Sequence, residues 1–128
     1  MTSLTPINPS DAPRPVGGNS QAVGVTGASE LLFVSRQIPE MPDGAFPDEF
    51  PEQCRSAWAN VTASPRAAGL GIEDLVKVTI YLTARSSAEV NRAVRKEFLG
   101  DHRPALTVVV IETLDPRWLL ELEAIATR

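Results

Sequence analysis

Apolar and polar positions recur with two different periods along this chain, and the changes of period mark out its elements. From Leu75 to Leu82 the run LVKVTIYL sets Val76, Val78, Ile80 and Leu82 on one side and Lys77, Thr79 and Tyr81 on the other. A period of two predicts a strand with one buried and one wetter face. Gln21–Thr26 and Leu31–Gln37 are shorter β-like runs, and the GASE between them suits a hairpin turn. Late in the chain, Leu106–Thr113 and Leu119–Thr127 predict two more strands joined by a turn at Leu114–Arg117.

Two segments carry the helical period. Phe50, Cys54, Trp58 and Val61 fall on one stripe at spacings of three and four. Pro65 has no N–H to donate, so this helix is expected to end or kink near Ser64, with Gly69 and Gly71 closing the segment. In SSAEVNRAVRKEFLG, Ser86 stands three residues before Glu89, a capping-box spacing, and Gly100 stands at the end. Val90, Val94 and Phe98 form the stripe of an amphipathic helix. The order is ββαβαββ, an α+β layout with two helices available to cover one face of one sheet. Residues 1–18 hold four prolines and the Gly17-Gly18 pair, which predicts an extended arm without regular structure. Residues 19–128 form a single domain.

The run Leu106–Ile111 is apolar on both faces, broken only by Thr107. Two helices cover one face of a sheet, so a greasy second face calls for another cover. The pattern favours a second copy of the chain over the amino-terminal arm.

Composition narrows the function classes. The chain has 128 residues, 43% hydrophobic and 22% charged, in the range of an ordinary globular domain. A net charge of -4 and scattered basic residues without interleaved aromatics speak against nucleic acid as a partner. The start MTSLTPINPSDAPRPVGG lacks the layout of a signal peptide, and no apolar run is long enough to span a bilayer. A cytoplasmic protein with no membrane partner is expected, and the single thiol is compatible with a reducing compartment. His102 is the only histidine, so a histidine-rich metal site cannot be assembled. GGNSQAVG lacks the lysine of a phosphate loop and leads into a strand rather than a helix. Cys54, on the apolar stripe, reads as core, and His102, between Asp101 and Arg103, as structural or solvated. Glu121 and Glu123 share one strand face, functional only if that face lines a cleft.

Taken in order, several segments resemble the Rid (YjgF) family of small enamine and imine deaminases. They are NSQAV (Asn19–Val23), VSRQIP (Val34–Pro39), Gln53, AAGLGIEDLVKVTIYL (Ala67–Leu82), Val90-Asn91, DHRPALTVVV and LELEAIA (Leu120–Ala126). The resemblance implies a chorismate-mutase-like sheet, a homotrimer around a central barrel, and clefts between subunits that bind a small-molecule metabolite without a cofactor. Glu121 matches the family's water-positioning glutamate. Ser35 matches the serine of its SGQ motif, Arg36 stands in place of the glycine, Asn19 in place of a tyrosine, and Asn91 matches its asparagine. The family's carboxylate-binding arginine directly follows PA, and here that residue is Leu106. A carboxylate deprived of its guanidinium loses a two-pronged, charge-assisted contact.

Two functions follow from the resemblance. One is a Rid-like trimer that binds a small metabolite in its clefts, with standard 2-imino acid deamination weakened by Leu106. The other is an active deaminase or related hydrolase that uses Glu121, with Arg36 as a relocated anion anchor and Arg103 the next choice. Ribonuclease or translation-inhibitor activity, described for some family members, sits poorly with the acidic balance.

Overall fold

The computed structural model describes residues 1–128 throughout and sorts six strands into two sheets. β1 (Ser3–Ile7) and β2 (Ala22–Thr26) form an antiparallel ribbon. β3 (Leu31–Gln37), β6 (Leu120–Thr127), β4 (Leu75–Leu82) and β5 (Ala105–Val110) form a four-stranded sheet in that order. Helices α1 (Phe50–Ala67) and α2 (Ala88–Leu99) cover one face of it. The class is α+β, as expected. The sheet is mixed: β4 and β5 run parallel through the α2 crossover, and β6 pairs antiparallel with β3 and β4.

Two expectations about the amino-terminal third fail. The arm is not devoid of regular structure, since β1 lies within it. Pro6 is tolerated there because β1 has a neighbour on one side only. Nor does GASE close a hairpin, because β2 pairs with β1 and β3 pairs with β6. The N–H groups of Ser29 and Glu30 instead donate to the Arg128 carbonyl (2.6 and 2.9 Å), and the Arg128 N–H donates back to Glu30 (3.0 Å). That clasp sends the chain into the second sheet beside β6.

The helices also differ in detail. α1 runs three residues past Ser64 with Pro65 buried in its last turn. So near the end, proline removes a single helical bond, and its own carbonyl accepts from Ala68 (2.9 Å) and Leu70 (2.8 Å). α2 starts at Ala88 after a short 3₁₀ turn, Arg85–Ser87, and has no side-chain cap, so the Ser86–Glu89 box does not form. Its buried side holds Asn91, Val94, Arg95 and Leu99, while Val90 is exposed and Phe98 half-buried. The stripe is therefore rotated from the one hydrophobicity marks: buried Arg95 donates once, to the Gly17 carbonyl, and buried Asn91 accepts weakly from the Cys54 thiol.

In β4, Leu75 lies opposite Ala126 and Lys77 opposite Ile125, so Val76 is an inserted bulge residue. The core face is accordingly Leu75, Val78, Ile80 and Leu82, with Val76 half-buried. These residues pack with Leu120 and Leu122 of β6 against Cys54, Trp58 and Val61 of α1. The opposite sheet face stays open: Phe33 is 70% exposed and Val109, on edge strand β5, is exposed as well. The arm does not cover it.

Candidate functional site

The six side chains singled out in the sequence gather in two places, three in each. The first is a cleft of about 180 Å³ beside β5, where Asn19, Asn91 and Leu106 meet Arg92 and Arg95. Leu106 lies level with Val78 and packs against the core on the helix side. Asn19 is brought in by its neighbour Ser20, whose N–H donates to the Pro104 carbonyl (3.0 Å) and whose hydroxyl donates to the Arg103 carbonyl (2.6 Å). Asn91 is buried, and the Cys54 thiol donates weakly to its Oδ1 (3.8 Å). Burial pushes that thiol up to about 12, which keeps it protonated and unreactive.

Arg95 was not among the residues that sequence reasoning singled out. It is only 6% exposed, and its Nη2 donates to the Gly17 carbonyl (2.5 Å). Burial, reinforced by the like charge of Arg92, holds its guanidinium below the ordinary arginine value. Gly17 has φ +83, and a Cβ there would stand 2.6 Å from Arg95 Nη2 and 3.1 Å from Arg92 Nε. This left-handed backbone is one that glycine adopts without strain, and it lets the arm pass close to both arginines. The available signal was spacing, since Arg95 follows Asn91 by four residues and shares its helix face.

The second place is the open sheet face. Between Val34, opposite Ala124, and Gln37, opposite Leu122, Ser35 and Arg36 together face the single Glu123. This bulge re-aims Arg36, whose guanidinium lies 3.9 Å from the centre of the Tyr81 ring. The Tyr81 hydroxyl donates to Glu123 Oε1, and Glu121 lies opposite Tyr81 in the ladder. Glu121 is 8% exposed and Arg36 is exposed. The contact with Tyr81, then the charges of Glu123 and Glu121, hold the Arg36 guanidinium above its ordinary value, opposed by slight desolvation. The hydrogen bond to Glu123 raises Tyr81, and Arg36 opposes the rise. A cleft of about 350 Å³ opens on the same face between Phe33, Ser35, Lys77 and Glu123.

The two places do not meet within one chain. β3, which carries Ser35 and Arg36, and β5, which carries Leu106, are opposite edges of the sheet. Arg103 is exposed on the loop before β5. His102 is structural, its Nε2 lying 2.7 Å from the Leu75 carbonyl. Gln53 is structural too: its amide donates to Pro47 (2.8 Å) and Arg117 (3.0 Å) and accepts from the Leu119 N–H (2.9 Å). No three His, Cys, Asp or Glu side chains gather as a metal site would require, and no helix is long and apolar enough to cross a membrane.

The family model for endoribonuclease L-PSP matches residues 9–128. The chain belongs to this family, the Rid (YjgF) family. Among its Rid relatives, TdcF of Escherichia coli, a protein named for reactive-intermediate deamination, is 33% identical over 91% of this chain and 92% of its own. A RutC family protein of Pyrococcus horikoshii is 34% identical over 91% of each chain. The solved structure of E. coli TdcF with bound serine superposes with TM-score 0.73, covering 97% of this chain and 98% of that one. The Rid protein YyfB of Yersinia pestis reaches TM-score 0.85 at 22% identity over 98% of both chains, a likeness of fold.

Proposed function

We propose that this Rid protein assembles as a homotrimer and binds a small metabolite in clefts between subunits, with weak hydrolysis of standard 2-imino acids. One observation carries the reading: the side chains at the family-matched positions fall into two groups, one beside edge strand β5 and the other on the open face of β3 and its neighbour β6. A β5 edge of one copy set against the β3 side of the next would join Asn19, Asn91 and Leu106 to Ser35, Arg36 and Glu121. The uncovered Phe33 and Val109 supply apolar surface that such contacts would bury.

Chemically, hydrolysis of an imine needs a held substrate, a placed water and a group to handle its proton. Glu121 is a carboxylate suited to orient water. Leu106 presents only methyl groups where the family presents a carboxylate-binding arginine, so substrate is not fixed against that water from β5. TdcF's bound serine supports an amino-acid-sized occupant. A second reading takes Arg36 as the anion anchor, supported by its bulge position facing Glu121 and Glu123, although Tyr81 already occupies the face of its guanidinium.

The test combines mass with rate. Light scattering coupled to size exclusion at micromolar concentration should give three subunits. An assay with 2-iminobutanoate, generated in place by an amino-acid oxidase and read by chemical trapping, should give rates far below those of TdcF. A one-subunit mass would remove the shared cleft, and TdcF-like rates would remove the role given to Leu106.

A further inference from the structure

The cleft beside Leu106 carries positive charge that nothing in the chain neutralises. The structure contains four ion pairs, and none involves Arg92, Arg95, Lys96 or Arg103. Asp101 is the one acid bordering the adjoining basic hollow, and it forms no ion pair with any of them. A buried guanidinium without a carboxylate is costly unless something binds it.

The donors of this cleft are also unspent. Arg95 has five N–H donors in a planar fork, and its one hydrogen bond is that to Gly17. Asn91 is 1% exposed; Cys54 engages its Oδ1, which leaves the Nδ2 donor without a partner. Trp58 Nε1 is the only buried side-chain nitrogen or oxygen that is both sealed and unpaired. The free nitrogens of Arg95 and Asn91 therefore keep some accessible surface, and both side chains line the cleft. Two guanidinium groups and an amide donor line a volume of about 180 Å³, with no carboxylate of the same chain in its lining. Such a site selects a planar oxyanion.

We propose that Arg95, with Arg92 beside it, is the anion clamp of this protein, so that a small ligand presents its carboxylate to α2 rather than to β5. The clamp deepens the metabolite-binding reading above and rests on it only for the class of occupant, because Arg92, Arg95 and Asn91 all belong to one chain. Moving the anchor from a strand to a neighbouring helix displaces the rest of the ligand, which accounts for binding without fast imine hydrolysis.

The experiment is titration calorimetry of the full chain with 2-oxobutanoate, its neutral isostere 2-oxobutanamide, and inorganic phosphate. The acid should bind saturably and weaken with added salt, the amide should not bind, and phosphate should bind less well than the acid. Arg95→Met should weaken the acid at least about tenfold. Its ligand-free melting temperature should hold or rise, since an unpaired buried cation is removed, whereas an arginine that merely ties down Gly17 would lower it on replacement. Arg92 is exposed, so Arg92→Gln tests the clamp even if Arg95→Met does not fold, and it should weaken the acid several-fold. Arg55→Gln, on the far ion pair with Glu97, controls for loss of general charge and should leave affinity unchanged. Equal binding of acid and amide, tighter binding of phosphate, no binding of the acid, or full affinity in both clamp variants would each overturn the proposal. Light scattering on the same sample separates the readings. A monomer that binds the acid keeps the clamp and loses the shared cleft, and a trimer that ignores the acid does the reverse.

Discussion

The indole of Trp58 and the ring of Phe98 lie 5.8 Å apart with their planes 20° from parallel, and this stack joins α1 to α2. Trp58 is fully buried while Phe98 is half-buried. Truncation would remove both packing and an aromatic pair. Phe98→Ala should therefore cost about 3 kcal/mol in urea denaturation. A loss below about 1 kcal/mol would mean that the stack does not bind the helices together.

Gln53 makes three hydrogen bonds that tie α1 to the loop at Pro47 and to the start of β6. Gln53→Ala leaves two carbonyls and an N–H unserved in a buried place, at about 2–3 kcal/mol. Gln53→Glu should be at least as damaging, because a carboxylate cannot donate to the Pro47 and Arg117 carbonyls. Thermal melts of both variants would decide, and a Glu variant as stable as the parent would contradict the assigned amide orientation.

Leu106 and Arg95 line the same cleft. Leu106→Arg alone would add a third guanidinium beside Arg92 and Arg95, and the like charges should destabilise the fold and gain little activity. Combined with Arg95→Gln, it should raise kcat/KM for 2-iminobutanoate by a clear margin over either single change. Additive effects would argue against coupling between the two positions.

On β5, Val109→Glu sets a charge on the exposed edge of the uncovered sheet face. Light scattering should show the mass falling toward one subunit. An unchanged mass would move the assembly contact elsewhere.

Much of this fold was legible because β4, β6 and α1 have one clear apolar side each. What escaped did so for identifiable reasons. The β1 strand hides among prolines, which an edge strand tolerates and a central one does not. The Val76 bulge reverses which side Leu75 takes, and alternation alone cannot show an inserted residue. The buried side of α2 holds an asparagine and an arginine, so hydrophobicity points to Val90 instead. The candidate residues could be listed from resemblance, but their division between two sheet edges depends on β6 inserting beside β3 and β4. Arg95 has no counterpart in any motif; its spacing from Asn91 puts both on one helix face, and its burial then brings it to notice.

The lone thiol of Cys54 has no exposed surface and lies between α1 and Asn91 of α2. The raised thiol value means that the folded chain keeps its proton as alkali is added. Stability from this group is complete below the ordinary thiol range near 9 and declines as pH climbs toward about 12. Cys54→Ala should flatten that part of the stability profile by up to about 4 kcal/mol, as measured by urea titration across the window.

The same burial gives the molecule an internal clock. A thiol reagent can meet Cys54 only when the two helices part, so the labelling rate at neutral pH counts openings of the helical layer. Ligands that engage α2 should slow that count without touching the sulfur, and contacts made only on the open sheet face should leave it running at its own pace.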